Sequence, residues 1–526
     1  MKKLFNKKIV FIALLFIIFL LFFKIDFRFA EGIYCCGDDY DYFSHAQTIA
    51  EDFDLDYTNQ LKGYEEKRFN LNDKIAPKGF FGSGFLASPF LFFGNYIDGI
   101  SSNYFKDSYS NFMNYGLLLY SLSSIFYMFL TIELLHRILQ NIDINIKKLE
   151  ILLFYASSGV FYYAFERFSM SHIYETFTVT LVIFFTFEYL KNSKNLSAFL
   201  VPLCMLLALL VRLVNYYVLI IPLIVRILFF NKTIKNIYTN SYFAYSSILS
   251  ILIYSYLSLE IYGIISINPE TLYNANGVLN SFVQDVELIP FFFTNLKNLL
   301  IVLFGQEFGI LWFSPIIFLG LISAVLPFKR ETIFEKLILL VPFIMCFASV
   351  LLWRSAASSY GFRYLSSLVP LSIIYFYSNK STKNFYIIRK VLIFLSLFSI
   401  LGVLFFETTT LTQLSTTNEL NSFGRSIKYV EPNYLKGVVQ SFIELESYLK
   451  IFLTSFLGVF IFKMTLSTLG YDSLIDILEK LNLPIYNQDF INYLVEIQKV
   501  SFLKILLILI IFLYISKRYI VDLKKE

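Results

Sequence analysis

Polar side chains at the ends of long apolar runs are costly to keep there, so the places where a hydrophobic chain retains them are informative. Here they collect in five groups. Asp38, Asp39 and Asp41 lie in CCGDDYDYFSHA, Glu166, Arg167, His172 and Glu175 in FERFSMSHIYE, and Arg212 and Asn215 in VRLVNYY. Gln306 and Glu307 fall in FGQEFGILWFSP, and Trp353, Arg354, Tyr360 and Arg363 in WRSAASSYGFRYL. Acidic side chains can take the proton of a hydroxyl as it attacks, and arginines can stabilise a phosphate as it leaves. A lipid-linked donor would hold its phosphate at the depth where these groups sit.

The elements that must position them are membrane-type. The chain has 526 residues, 57% hydrophobic and 16% charged, with a mean hydropathy of +0.63, a composition that excludes an ordinary soluble domain. Its net charge of +5 is spread in short basic clusters between apolar segments, which is topology information and not a nucleic-acid footprint. Cys35, Cys36, Cys204 and Cys346 match no metal-ligand spacing and make no disulfide framework. The adjacent pair Cys35 and Cys36 reads as two small residues at a helix approach, with a strained vicinal bridge as the alternative.

The run 9–23 follows a basic start and precedes a poor cleavage site, so it reads as an uncleaved first membrane helix with Lys8 and Lys24 at its ends. Further runs recur at 111–135, 149–165, 172–190, 197–211, 213–229, 241–265, 309–327, 337–353, 364–378, 389–406, 448–465 and 501–516. The expected fold is an all-α polytopic membrane protein of about 11–13 transmembrane helices. Every second connection is rich in lysine and arginine, which puts the amino terminus in the cytoplasm and all five polar groups on the outer face of the cell membrane. Counting every run leaves the tail SKRYIVDLKKE outside, against the same rule, so one late segment is miscounted or re-entrant. The outer segments are then 24–110, 263–308, 354–363 and 407–447. In the first, Phe43, Ala46, Ala50 and Phe53 follow helical spacing and are expected on one face of a short helix resting on the membrane surface, with 78–94 returning along that surface. A transporter would hold ionisable groups near mid-bilayer, reached from both sides; a one-sided set suits a site at the outer interface.

At these residues the chain resembles the GT-C superfamily of membrane glycosyltransferases, of the protein mannosyltransferase and aminoarabinose transferase type. GDDYDYFSHAQTIAEDFDLDYTNQ is similar to that superfamily's first outer loop, and KGFFGSGFLASPFLFFG to the return of that loop. SHIYETF, VRLVNYYVLIIP, FGILWFSP and YGFRYLSSLVP follow in the order expected. The resemblance covers about residues 37 to 370, so 1–406 is taken as a catalytic transmembrane module and 407–526 is left without a role. It implies a polyprenyl-phosphate-sugar donor, a glycan, lipid or protein acceptor, and no nucleic acid. It also implies Asp38 as catalytic base with Asp39 as the second acidic position, and Arg363, Arg212 and Tyr360 facing the donor phosphate. His172, Gln306, Glu307, Trp353, Arg354 and Lys78 are candidates for substrate contacts. No cofactor is required, because only a monophosphate leaves; the pair Asp38 and Asp39 is where a divalent Mg or Mn ion would sit. The loop return reads IAPKG where the superfamily often carries His-Pro-Pro, which leaves the roles of Pro77 and Lys78 open.

Plainer readings stand beside these. Asp38 or Asp39 could cap a helix beginning near Tyr40, and Asp41 reads as a solvated helix residue. Asp54 and Asp56 form an exposed acidic run. Arg363 and Trp353 could be interfacial anchors, His172 a hydrogen-bonded structural histidine, and Gln306 and Glu307 helix caps. Two other functions fit the same face: a transporter or flippase for a polyprenyl-linked glycan, and a glycan polymerase or ligase using a pyrophosphate-linked oligosaccharide.

Overall fold

The computed structural model describes residues 37–63, 69–71, 74–104, 115–142, 144, 146–165, 167–230, 237–268, 299–306, 308–325, 332–353, 360–380, 382, 384–405, 416–420, 426–430, 434–482, 488–499 and 502–524. The expected first membrane helix at 9–23, Cys35 and Cys36, Glu166, Glu307 and Arg354 lie outside these residues. The described chain is mostly helical, with two short antiparallel hairpins. β1 (Phe69–Leu71) pairs with β2 (Lys74–Ala76), Phe69 opposite Ala76, and β3 (Thr416–Leu420) pairs with β4 (Ser426–Val430).

The first loop carries the short helix expected of it, set among other elements. Helix α1 (Gly37–Gln47) runs into a wider π-helical turn, Thr48–Asp52, and ends at Phe53, whose φ of 60° reverses the backbone. Ala46 and Ala50 are buried as their spacing requires, but so are Asp41, Tyr42, Ser44 and His45, while Phe53 is 74% exposed beyond the reversal. The helix is therefore wrapped by protein on more than one side. One reason is its neighbour: α2 (Phe81–Tyr104), which takes up most of the expected return, is a helix about 36 Å long at 1.5 Å per residue, packed along both α1 and α3 (Tyr115–Asn141). Gly84 permits the α1 contact, since a Cβ there would stand 2.4 Å from the His45 Cβ and 2.8 Å from the Ala46 nitrogen.

The middle of the chain supplies α4 (Lys148–Ala156), α5 (Val160–Phe165), α6 (His172–Asn192) and α7 (Asn195–Val211), then a 3₁₀ turn Tyr216–Ile220 leading into α8 (Ile221–Phe229), and α9 (Ser241–Tyr262). Next come α10 (Ile310–Phe313), α11 (Pro315–Val325), α12 (Ile333–Trp353), a 3₁₀ turn Arg363–Leu365, α13 (Leu368–Ser378) and α14 (Phe385–Phe405). Five stretches among the described residues are long and apolar enough to cross a membrane: α3, α6, α9, α14 and residues 333–350 of α12. Of the spanning window 78% is buried in α6 but only 17% in α9, so α6 is central and α9 peripheral. α9 meets α7, where the small Ser246 donates its hydroxyl to the Phe199 carbonyl at 2.5 Å, and its Ser250 and Ser258 are buried as well.

Two runs expected to be single helices are interrupted, and the interruptions face each other. The run 149–165 breaks at Ser157–Gly159 and the run 309–327 at Ser314. The Gly159 N–H donates to Ser314 Oγ at 3.3 Å, and the Ser399 hydroxyl of α14 donates to the Ser157 carbonyl at 2.7 Å. Irregular backbone at membrane depth is tolerated where protein satisfies its polar groups, and these contacts do so. At the opposite end of α4, Glu150 takes both Arg389 of α14 and the Tyr377 hydroxyl of α13, tying three helices together.

The carboxyl-terminal part consists of α15 (Tyr434–Ile443), α16 (Leu445–Thr454), α17 (Phe456–Leu469), α18 (Tyr471–Leu481), α19 (Gln488–Lys499) and α20 (Phe502–Lys524). The run 448–465 is divided at Ser455, whose side chain accepts from the Gly458 N–H and starts α17. α18 and α19 are amphipathic: Leu474 and Leu478 of the first and Phe490, Leu494 and Ile497 of the second are buried, and both helices pack on α17.

Candidate functional site

Four chain segments come together where α1 begins, α5 gives way to α6, α7 ends and α13 is about to start. Asp39, on the first turn of α1, is buried, and its Oδ2 accepts from Arg167 twice, from Nε at 3.0 Å and Nη2 at 2.5 Å. Arg167 is equally buried in the short link between α5 and α6. Burial alone would lower its pKa, but the Asp39 carboxylate, with Tyr162 and Tyr163, outweighs that and holds it above the ordinary arginine range. The pair is thus charged on both sides, a buried ion pair held by two charge-assisted hydrogen bonds.

A second cluster forms beside it. Glu175, one turn into α6, accepts at Oε1 from Asn215 Nδ2 at 2.7 Å, while its Oε2 lies 3.5 Å from Arg212 Nη1 and 3.2 Å from His172 Nδ1. Arg212 Nη1 also lies 3.1 Å from His172 Nδ1. An arginine can only donate, so where it bonds Nδ1 the imidazole proton sits on Nε2. The Arg212 guanidinium covers the Tyr364 ring at 4.2 Å, with Arg363 5.6 Å from the same ring. The Tyr163 ring flanks His172 at 4.4 Å.

The return of the first loop is fastened to α1 by a third set. His45 Nε2 faces the Gly79 carbonyl at 3.0 Å and Nδ1 faces the Tyr57 hydroxyl at 2.7 Å. A carbonyl only accepts, so Nε2 carries the proton and Nδ1 accepts from Tyr57. Tyr262 of α9 donates to the same carbonyl at 2.8 Å. Burial pushes the His45 pKa down to about 4, partly opposed by the Gly79 contact, so the ring is neutral.

The expected site residues divide accordingly. Asp39, Arg212, His172 and Arg363 are gathered, and half-buried Lys78 adjoins Gly79. Asp38 stands next to Asp39 on α1 and Trp353 ends α12; the side chains of both lie outside the described residues. Gln306 is exposed, and its carbonyl accepts from the Leu435 N–H at 2.9 Å. Tyr360 is fully buried: its ring packs against Tyr162, Phe308 and Phe313, and its hydroxyl donates to the Ser399 carbonyl at 3.3 Å. Asp41, expected in solvent, is 1% exposed. Asp54 and Asp56 are exposed and shape their own turn: Asp54 accepts from Thr48 and Asp56 from Thr58.

Sequence reasoning grouped Arg167, Glu175 and Asn215 with the polar turns but gave them no role, and it passed over His45 and Tyr57. The signal for the first three was their place at run ends; their partners, 128 and 40 residues away in sequence, were not visible. For a Mg or Mn ion the described residues offer no group of three or more His, Cys, Asp or Glu ligands, and Asp39 Oδ2 is taken by Arg167. No protein-family model, curated protein or solved structure matches the chain.

Proposed function

We propose that the chain is a multi-pass protein of the cell membrane, amino terminus in the cytoplasm, that transfers a sugar from a polyprenyl-phosphate donor to a hydroxyl acceptor at the outer face. The observation that carries this reading is the pairing of Asp39 with Arg167 beside the cluster of His172, Glu175, Arg212, Asn215 and Arg363, where several apolar helices begin or end. Buried charge on that scale is expensive and is kept where chemistry needs it.

In this reading the acceptor oxygen attacks the anomeric carbon as the carbon–oxygen bond to phosphate breaks. The bonding pair leaves with the phosphate, the acceptor proton passes to Asp38, and the anomeric configuration inverts. Asp39, already committed to Arg167, orients the start of α1. Glu175 and Asn215 hold Arg212 beside Tyr364, so Arg212 and Arg363 together flank one wall on which a phosphate can be bound. No step requires a metal.

The test uses purified protein in lipid vesicles with radiolabelled polyprenyl-phosphate sugars and envelope extract as acceptor. Asp38→Asn should lower transfer by about a hundredfold or more while the protein remains folded. Normal turnover by that variant would remove Asp38 from the mechanism. A flippase would move the labelled lipid across the vesicle without changing its mass, and a polymerase or ligase would consume only a pyrophosphate-linked oligosaccharide, so product mass separates all three.

A further inference from the structure

The segment beyond residue 406 has no role in the reading above, yet it reaches two turns that carry site candidates. Tyr434, the first residue of α15, is 5% exposed. Its hydroxyl donates to the Gly402 carbonyl of α14. Its ring centroid lies 4.8 Å from that of Phe308, 5.2 Å from Phe313 and 6.0 Å from Tyr360. The next residue, Leu435, donates its N–H to the Gln306 carbonyl. The first two residues of α15 therefore hold the turn that carries Gln306 and, through the aromatic cluster, the turn that carries Arg363.

The second connection is tight. Tyr360 precedes Arg363 by three residues, and its carbonyl accepts from the Tyr163 hydroxyl at 2.9 Å. Between them Gly361 has φ of +69°, the left-handed region that a side chain would resist. With Tyr360 clamped on its hydroxyl, carbonyl and ring, the backbone leading to Arg363 is set by how that ring is seated. Tyr434 is one wall of the seat, Tyr162, Phe308 and Phe313 the others, and Gly402 the floor: a Cβ on Gly402 would stand 2.8 Å from the Tyr360 hydroxyl and 3.0 Å from Phe313.

We infer that Tyr434 is a positioning residue for the site: through its ring and the adjoining Leu435 N–H it fixes the 304–309 and 360–363 turns relative to each other, making α15 a working part of the module that precedes it. The kinetic side of this inference rests on the proposed glycosyltransferase reading; the structural side does not.

The experiment compares full-length protein in nanodiscs with Tyr434→Ala, Tyr434→Phe and Gly402→Ala. Farnesyl phosphate serves as a soluble stand-in for the lipid-phosphate group, and hydrogen exchange is followed in peptides covering 304–313 and 360–367. Tyr434→Ala should weaken farnesyl phosphate binding by about tenfold or more at unchanged stoichiometry, since small misplacements of a binding group are costly. It should also lose protection in both peptides together. Tyr434→Phe, which keeps the ring, should restore affinity to within about twofold of the wild type. A merely structural role would instead lower the number of competent molecules and leave their affinity intact. Unchanged affinity in folded Tyr434→Ala, or loss of protection confined to α15, overturns the inference. If Tyr434→Ala does not accumulate, Gly402→Ala, which crowds the same cluster from α14, must produce the coupled loss or the inference fails. Wild-type protein that does not bind farnesyl phosphate would count against the glycosyltransferase reading, and the exchange data alone would then decide the positioning role.

Discussion

Arg167 and Asp39 are both buried and bonded to each other, so each is tolerated only because the other is present. Removing one partner of such a pair leaves an uncompensated charge, which costs far more than the pair contributes. Arg167→Met should therefore destabilise the protein by about 3–5 kcal/mol, and adding Asp39→Asn should recover much of the loss. A double-mutant cycle on thermal unfolding in detergent checks this, and additive losses would show that the two do not act together. His45 makes a different prediction. Its pKa is about 4 in the folded protein against 6.5 for an ordinary histidine, so between those values the unfolded chain binds the proton and the folded one does not. Stability from this group is complete above pH 6.5 and is lost as pH falls toward 4, by about 3 kcal/mol over the full window. His45→Gln, which can still donate to Gly79, should flatten that slope in melts run between pH 7.5 and 5. None of these pairings was legible in the chain. A run of residue types can show that Asp39 is placed at a costly depth, but not that an arginine 128 residues on comes to meet it.

Helices were legible to the extent that they act alone. The long runs expected at 111–135, 172–190 and 241–265 correspond to α3, α6 and α9 with ends displaced by a few residues. The breaks at Ser157–Gly159 and Ser314 were not legible, because hydropathy does not register hydrogen bonds that one interrupted helix makes to another. The burial of α1 was partly legible for a related reason: the spacing of Ala46 and Ala50 identifies one buried face, while α2, Tyr57 and Arg167 cover residues on the others. Contact between those two helices depends on Gly84. Gly84→Ala would press a methyl group against the α1 backbone, and we expect a loss of about 1–3 kcal/mol, as overpacked sites show. Because α1 carries Asp38 and Asp39, transfer activity should fall further than the shift in melting temperature explains; equal effects on both would make Gly84 a packing residue and nothing more.

For the whole molecule, the conflict over the carboxyl terminus turns on α17. α17 has 14 residues, about 21 Å against a hydrocarbon core of about 30 Å, and the ammonium of its Lys463 bonds the Gln498 carbonyl of α19. A segment that short, with a lysine committed to a neighbouring amphipathic helix, is expected to enter and return without crossing, which predicts a basic tail on the cytoplasmic side proposed for the amino terminus. A carboxyl-terminal fluorescent protein should then fluoresce and a carboxyl-terminal phosphatase should be silent; the reverse would mean that 448–465 crosses after all. The peripheral position of α9 has a consequence of another kind. On that helix the exposed Ile248, Ile251, Leu252 and Tyr256 answer to hydrophobicity alone, while the buried Ser246, Ser250 and Ser258 answer to the space left for them. Over generations the first set is free to be rewritten among apolar residues and the second is not, so the history of this helix should read as a conserved stripe of small residues on a drifting apolar background.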